Sequence, residues 1–292
     1  MKVKIGLAQI EPVLGNPRLN LEKHLEWIER AWEGGVDLIC FPELSMTGYN
    51  LQDLVHEVAI RPVPEDPIFG PLLEASRQLD ITAGFVEEDR RRRFYVAQAY
   101  LSGGEVVHIH HKVYLPTYTL FDEGRYFAWG DRVRAFDTRF GRVGMLICED
   151  FWHMSPPYLL WLDGADILLL HSASPARGLT SEDRLSSTRW VELANKAYAG
   201  IFTDFVVHCN RVGFEDGTPF WGGSMITDPD GEVVVQGSYY EEDLVTYTLD
   251  TNQLHRTRSR LPLLRDERIG LMSRELARIA KGWELPKWEE PR

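Results

Sequence analysis

The chain has 292 residues, 44% of them hydrophobic, and a formal net charge of −12. A chain of this length can bury about three quarters of its unfolded surface in a single core. The acidic balance argues against a nucleic-acid surface, no apolar run is long enough to span a bilayer, and three widely spaced cysteines, Cys40, Cys148 and Cys209, point to reduced thiols in the cytoplasm rather than a disulfide framework.

Met1-Lys-Val-Lys4 leads straight into a first strand, Val3 to Ile10, with no signal-peptide pattern. A loop with Pro12, Gly15 and Pro17 follows. Asn20 is a candidate helix cap, and Leu21, Leu25, Ile28 and Trp32 recur at helical spacing up to Gly34-Gly35. Val36 to Phe41 is a second strand, and the β-α-β order implies that it runs parallel to the first. It stops at Pro42-Glu43. Glu43 therefore sits just past a strand end, where α/β sheets place ligand-contacting groups, although one loop glutamate reads equally well as a solvated surface residue.

Asp66 to Leu79 reads as a helix, Ile81 to Val86 as a strand, and Phe94 to Leu101 as its return. Arg90 to Arg93 suit a solvated turn better than a nucleic-acid patch in so acidic a chain. Val106 to Ile109 is a strand leading into His110-His111-Lys112. Neighbouring histidines on a strand face opposite ways and no acid or thiol cluster accompanies them, so no metal site is expected. Lys112, again at a strand end, is either a site cation or a surface lysine. Phe121 to Phe127 mixes aromatics with charges and suits a pocket-lining loop. Val133 to Asp137 is a strand. Arg139-Phe-Gly-Arg142 turns into another, the apolar run Val143 to Ile147, which ends at Cys148-Glu149-Asp150. Most lone cysteines are inert core, and a free thiol needs a neighbouring base to become a nucleophile.

Pro156 to Leu162 is a short helix, Ala165 to Leu170 a strand, and Ser181 an imperfect capping-box start to a helix running through Trp190, Leu193 and Ala197. Phe205 to Cys209, Gly222 to Thr227, Glu232 to Val235 and Leu244 to Leu249 are strands, the middle two joined by the Asp228-Pro-Asp-Gly231 turn. One domain over residues 1–250 is expected, with residues 251–292 as an extension that packs on the domain or a partner subunit; it holds Arg256, Arg258 and Arg260 close together, and a helix falls near Ser273 to Lys281. There is no repeat, and no Gly-rich phosphate loop followed by Lys-Ser/Thr, so ATP binding is unsupported.

Glu43, Lys112 and Cys148 each follow a separate apolar strand, and together they supply a base, a cation and a thiol, the parts that acyl transfer needs. Phe41-Pro-Glu43, Lys112-x-x-Leu115-Pro116 and Ile147-Cys148-Glu-Asp150 resemble the three signatures of the nitrilase (carbon–nitrogen hydrolase) superfamily. The resemblance runs from Val3 to about Asp250 and takes in Ala173-Ser-Pro175, Asn210-Arg-Val-Gly213 and Gly222-Gly-Ser224. It implies an α/β fold, a four-layer α-β-β-α sandwich that pairs into a homodimer. It also implies hydrolysis of a small amide or carbamoyl compound without metal or cofactor. The implied roles are Cys148 as nucleophile, Glu43 as general base, Lys112 as oxyanion stabiliser and, on a looser alignment, Glu123 as a further site glutamate.

Cys148-Glu-Asp-Phe-Trp152, the Phe121–Phe127 loop and Ala173-Ser-Pro175 further resemble the glutaminase domain of glutamine-dependent NAD synthetase. By that analogy Tyr118, Glu149, Trp152 and Ser174 hold a glutamine-like amino acid, with Glu149 suited to an α-ammonium group. The chain departs from that pattern in stopping near the glutaminase boundary and in carrying Gly178-Leu179 where Gly-Lys is expected. A free-standing amidase is therefore favoured over one that passes ammonia to a separate synthetase. An N-carbamoyl hydrolase of the β-ureidopropionase type is the alternative, a catalytically silent binding protein the reading from another class, and a true nitrilase the least favoured.

Overall fold

The computed structural model describes residues 1–177 and 186–282. Two six-stranded sheets face one another. The first has the order β14-β1-β2-β3-β4-β5, from β1 (Lys2–Gln9), β2 (Leu38–Cys40), β3 (Asp80–Glu88), β4 (Phe94–Ser102), β5 (Glu105–His111) and β14 (Asp243–Asp250). The second has the order β13-β12-β9-β8-β7-β6, from β6 (Phe136–Thr138), β7 (Gly141–Ile147), β8 (Ile167–Ser172), β9 (Phe205–Asn210), β12 (Met225–Thr227) and β13 (Val233–Gln236). A hairpin of β10 (Val212–Glu215) and β11 (Thr218–Trp221) stands apart. The helices are α1 (Pro17–Glu33), α2 (Val55–Val58), α3 (Phe69–Ala75), α4 (Glu123–Tyr126), α5 (Ser155–Leu162), α6 (Ser186–Phe202), α7 (Asn252–Arg260), α8 (Leu263–Asp266) and α9 (Ile269–Gly282).

Strand periodicity builds the layers. Ile5 and Leu7 of β1 point between the sheets, onto Met145, Leu169 and Val207 of the second sheet. Ala8, with Ile39 and Ile81, turns outward onto Trp27, Ile28 and Ala31 of α1 and Leu72 of α3. In the second sheet Leu146, Leu168 and Leu170 face outward onto Leu160 and Trp161 of α5 and Phe202 of α6. Alternate side chains of a strand serve opposite faces, and each fully buried large aliphatic contributes about 1.5–3 kcal/mol. The result is the expected four-layer α-β-β-α sandwich. Among the described residues no helix is long and apolar enough to cross a membrane.

The strand directions place the site. β1, β2 and β3 are parallel; β4 and β5 each reverse once, so β5 runs with β2 and their C-termini share one edge. In the second sheet β7, β8 and β9 are likewise parallel.

Several sequence expectations are corrected. The cap of α1 is Asn16, which accepts from the Leu19 N–H at 3.2 Å, because Pro17 is a favoured first helical residue. Asn20 instead lies buried in the helix, bonding both backbone groups of Val13 and the Met46 carbonyl. The strand read at Val133 to Asp137 begins only at Phe136; just before it, the Ala135 N–H goes to the Asp163 carboxylate rather than to a ladder. The β10–β11 hairpin was not anticipated. The helix start at Ser181 lies outside the described residues. In the C-terminal segment, α7 seats on its own domain through Leu254 and Thr257, and Arg258 bridges Asp166, Asp204 and the Ala165 carbonyl. α9 buries none of its residues and presents Ile269, Met272, Leu276 and Ile279 to solvent.

Gly84 of β3 is where the fold bears on the site. A Cβ there would stand 2.5 Å from both Leu44 N and the Pro42 oxygen, so only a glycine lets the Pro42–Leu44 segment cross the strand. Gly84→Ala is expected to destabilise the protein by about 1–3 kcal/mol, the usual range for overpacking, as measured by urea denaturation. Turnover should fall with it, since Glu43 rides on the displaced segment.

Candidate active site

Glu43 follows β2 in a loop fixed from below. The His24 ring stacks on Phe41 with centroids 4.0 Å apart and bonds Ser45 Oγ at 2.9 Å. Burial lowers its pKa to about 4, so it acts as a neutral wedge. His171 Nδ1 donates to the Phe41 carbonyl at 2.9 Å, tying the loop to the second sheet. Glu43 itself is buried with both oxygens occupied: Oε1 accepts from Lys112 Nζ at 2.7 Å and Oε2 from the Ala173 N–H at 2.8 Å.

Lys112 comes directly after β5. Its N–H donates to the Val96 carbonyl at 2.9 Å and its carbonyl accepts from the Gly130 N–H at 2.7 Å. The ammonium is fully buried and reaches two carboxylates, Glu43 Oε1 and Glu123 Oε1, each at 2.7 Å. Burial works against the charged form, but the Glu123 and Glu43 carboxylates outweigh it and hold the lysine pKa well above its ordinary value. Glu123 opens the short helix α4. Burial raises its pKa to about 7, against the pull of Lys112. Its Oε1 also accepts from the Tyr49 hydroxyl at 2.5 Å, while its buried Oε2 has no hydrogen-bond partner among the described residues. A cavity of about 300 Å³ bounded by Tyr49, Asn50, Phe121 and Glu123 adjoins this side of the site.

Cys148 directly follows β7 with φ +42°, a left-handed conformation that costs a non-glycine residue of order 1–3 kcal/mol. Asp150 holds that turn. Its Oδ2 accepts from the Ile147 N–H and bonds His110 Nε2, and its Oδ1 accepts from the Val113 and Tyr114 N–H groups at 2.9 Å each. One buried carboxylate thus joins the cysteine turn to the segment after Lys112. Cys148 is partly exposed. Burial and the Glu43 carboxylate push its thiol well above the ordinary range, with Lys112 pulling the other way and Glu123 and Glu149 adding to the rise. The thiol is therefore protonated at rest and lies within the field of all four neighbours.

Of the residues expected to hold substrate, Tyr118 and Glu149 are brought together. The Tyr118 hydroxyl donates to Glu149 Oε1 at 2.9 Å and Oε2 at 3.0 Å, and burial raises the Glu149 pKa. Trp152 is about half exposed, and its N–H donates to the Glu149 carbonyl. Ser174 is buried and gives its backbone N–H to Asn210 Oδ1 at 3.0 Å. Ala173-Ser-Pro175, Asn210 and Gly222-Gly-Ser224 form one scaffold behind Glu43, in which Asn210 Nδ2 bonds the Gly222 carbonyl and Ser224 Oγ takes the Asn210 N–H. The two histidines part company: His110 goes to Asp150, while His111 bonds Glu87 and stacks on Tyr95. Among the described residues no three His, Cys, Asp or Glu side chains gather to hold a metal ion. Sequence reasoning missed Tyr49 and Asp150 as site members. Asp150 stands inside a quoted motif, and Tyr49 lies six residues beyond Glu43 in the same loop.

A carbon-nitrogen hydrolase family model matches residues 4–259. A glutamine-dependent NAD(+) synthetase of Thermotoga maritima is 33% identical over 260 residues, covering 86% of this chain and 43% of the relative. The solved glutamine-dependent NAD+ synthetase of Acinetobacter baumannii superposes with TM-score 0.76 at 28% identity, covering 87% of this chain and 47% of that one. A carbon-nitrogen hydrolase of Helicobacter pylori matches in fold with TM-score 0.85 at 21% identity, over 94% of this chain and 99% of that one. The chain thus spans about half the length of the synthetases that it matches.

The raised pKa of Glu123 has a consequence for stability. Between the ordinary glutamate range and about pH 7 the folded chain keeps a proton on Glu123 that the unfolded chain has lost. The folded state binds more protons there, so stability falls as pH rises through that window, by at most about 1.4 kcal/mol per pH unit. Glu123→Gln, a neutral isostere, removes the slope. Denaturation of both proteins at about pH 5, 6 and 7 is expected to show the wild type losing ground to the variant as pH rises.

Proposed function

Since the chain belongs to the carbon–nitrogen hydrolase family, we propose that it hydrolyses a small non-peptide amide, a glutamine-like one above others, through a thioester on Cys148, and releases ammonia. The observation that carries this reading is the buried Lys112 ammonium shared by Glu43 and Glu123, with the Cys148 thiol in the field of all three.

In this mechanism Glu43 takes the thiol proton as sulfur attacks the amide carbon. Charge moves onto the amide oxygen, where the Lys112 ammonium and the Glu149 backbone N–H stabilise it; one such donor is typically worth about 3 kcal/mol. Glu43 hands the proton to the departing nitrogen, the C–N bond breaks, and ammonia leaves the acyl thioester. Glu43, with Glu123 near its own pKa, then activates water to free the acid and restore the thiol. General acid–base help of this kind typically contributes roughly a hundred- to ten-thousand-fold.

The amino-acid preference draws on Glu149. Its carboxylate acts on the Cys148 thiol and is held by Tyr118, which suits an α-ammonium group; Trp152 and Ser174 complete the binding set. Carbamoyl compounds stay as the alternative acyl donors. We also infer a homodimer: α5 and α6 expose Leu159, Trp190, Leu193 and Ile201, while α9 carries an uncovered apolar stripe, so the 251–292 extension is read as reaching a partner subunit through α9. A cysteine that must stay reduced suits the cytoplasm.

Intact-mass analysis across a panel of amides and carbamoyl compounds tests the chemistry. An acyl adduct on wild type and none on Cys148→Ala is expected; turnover by Cys148→Ala comparable to wild type overturns the assignment. A carbamoyl adduct, with carbon dioxide released beside ammonia, moves the reading to the N-carbamoyl alternative. Glu149→Gln is expected to lower kcat/KM about ten- to a hundred-fold for amides bearing an α-ammonium, the worth of a hydrogen bond to a charged group, and to leave their des-amino analogues little changed.

A further inference from the structure

Tyr49 has a support of its own that reaches it from a distant part of the chain. Its backbone N–H and that of Asn50 both donate to Glu215 Oε2 at 2.9 Å, and Asn50 Nδ2 donates to the Glu215 carbonyl at 3.1 Å. Glu215 closes the strand β10 and is buried. Its other carboxylate oxygen accepts from Arg211 Nη1. Arg211 is buried without exposure, lies 4.1 Å over the Phe220 ring, and Phe220 in turn meets the Tyr49 ring edge-on at 6.1 Å. Gly48, with φ +81°, completes the fit: a Cβ there would stand 2.7 Å from Leu14 Cα and 3.0 Å from Glu215 Oε1.

A buried ion pair rarely adds net stability over apolar residues of the same volume, and this one keeps Arg211 Nη2 without a hydrogen-bond partner among the described residues. What the pair does achieve is to aim one carboxylate oxygen at two consecutive amides of the loop between Glu43 and Asn50. The next link is the 2.5 Å bond from Tyr49 to Glu123, and the one after it is the bond from Lys112 to Glu123.

We propose that Glu215, braced by Arg211, is a positioning residue for the acid–base chemistry: it seats the Tyr49 backbone so that the phenol hydroxyl stays on Glu123 and holds that carboxyl against Lys112. The inference rests on the roles given above to Cys148 and Glu123. The charged and titratable groups that act on Glu123 are Lys112 at the end of β5, Glu43 and Tyr49 from the loop after β2, and Cys148 from the turn after β7. A hydroxyl donating to the carboxylate favours its charged form. Loosening Tyr49 therefore shifts proton release from Glu123 to higher pH.

The test follows alkylation of Cys148 by iodoacetamide in the full-length chain, by intact mass, from about pH 5.5 to about pH 9, a range that brackets the Glu123 ionisation. No substrate is required. Tyr49→Phe is expected to move the inflection near neutral pH upward and, within that window, to speed the reaction roughly a few-fold, because a Glu123 that stays neutral no longer adds to the rise of the Cys148 thiol. Glu215→Asp keeps a charge for Arg211 but is one methylene too short to reach both amides; it is expected to cause the same shift, and to add nothing in the Tyr49→Phe background, as two residues acting through one path must. Where Glu215→Asp does not fold, Gly48→Ala replaces it, since a Cβ there presses on Leu14 Cα and on Glu215 Oε1 and so forces the loop and the carboxylate apart. An unmoved profile in folded Tyr49→Phe overturns the proposal. So does an equal effect of the Glu215 or Gly48 variant with and without the tyrosine hydroxyl. Equal modification of Cys148→Ala points elsewhere, to a failure of the nucleophile assignment.

Discussion

The site is organised by one charge that has no access to water. The Lys112 ammonium is fully buried, and taking an unpaired ammonium out of water costs several kcal/mol. Two carboxylates at 2.7 Å are the response, and they set the remaining geometry. Glu43 must leave its strand and be pinned through its second oxygen, which the Ala173 N–H does from the other sheet. Glu123 must be carried inward on a loop and stopped there, which the Tyr49 hydroxyl does. Losing either carboxylate leaves the lysine with a single counter-charge, and neither can move far without losing its bond to it.

That requirement explains why the site needs two sheets. β2 and β5 bring Glu43 and Lys112 to one edge of the first sheet; β7 and β8 bring Cys148 and the Ala173 amide to the matching edge of the second. The inter-sheet core, with Leu7 and Cys40 facing Met145, Leu169 and Cys209, is therefore what holds the strand ends that carry Cys148 and Glu43 against each other. His171 on the Phe41 carbonyl and the Asp150 carboxylate are the polar stitches laid across the same gap. Both lie buried, where a hydrogen bond left unmade is expensive, so they specify the register of one sheet on the other as well as holding it.

The architecture was largely legible because each main strand is an apolar run stopped by a charged or proline residue, and because parallel pairing follows from the intervening helices. Glu43, Lys112 and Cys148 stood out for the same reason: each is a reactive type placed just after such a run. What could not be read is what depends on a second residue far away in sequence. Tyr49 looks like any loop tyrosine until Glu123 arrives 74 positions later. Asn20 has the composition of a cap and the environment of a core bond, which only the position of Met46 decides. The strand at Val133 to Ala135 fails because Asp163 claims the Ala135 amide that a ladder would use. In α7 the sequence left open whether the segment packs on its own domain or on a partner; Arg258 is drawn down by Asp166 and Asp204, and no local pattern encodes that.

The resting thiol gives the arrangement its chemical logic. Thiolate on Cys148 would add negative charge beside Glu43 and, where it is ionised, Glu123, with one ammonium to balance them, and burial already disfavours it. On the proposed mechanism the proton therefore cannot leave ahead of substrate. It moves to Glu43 as the C–S bond forms, when the new negative charge appears on the substrate oxygen, farther from the carboxylates and open to Lys112. The lysine then serves two states in turn: it neutralises carboxylates while the site waits, and it shares its field with an oxyanion when an amide is bound. A site that kept a free thiolate would react with any passing electrophile. One that ties ionisation to the arrival of a carbonyl reserves its nucleophile for the bond that it cuts, and the carboxylates packed around Lys112 are what enforce that order.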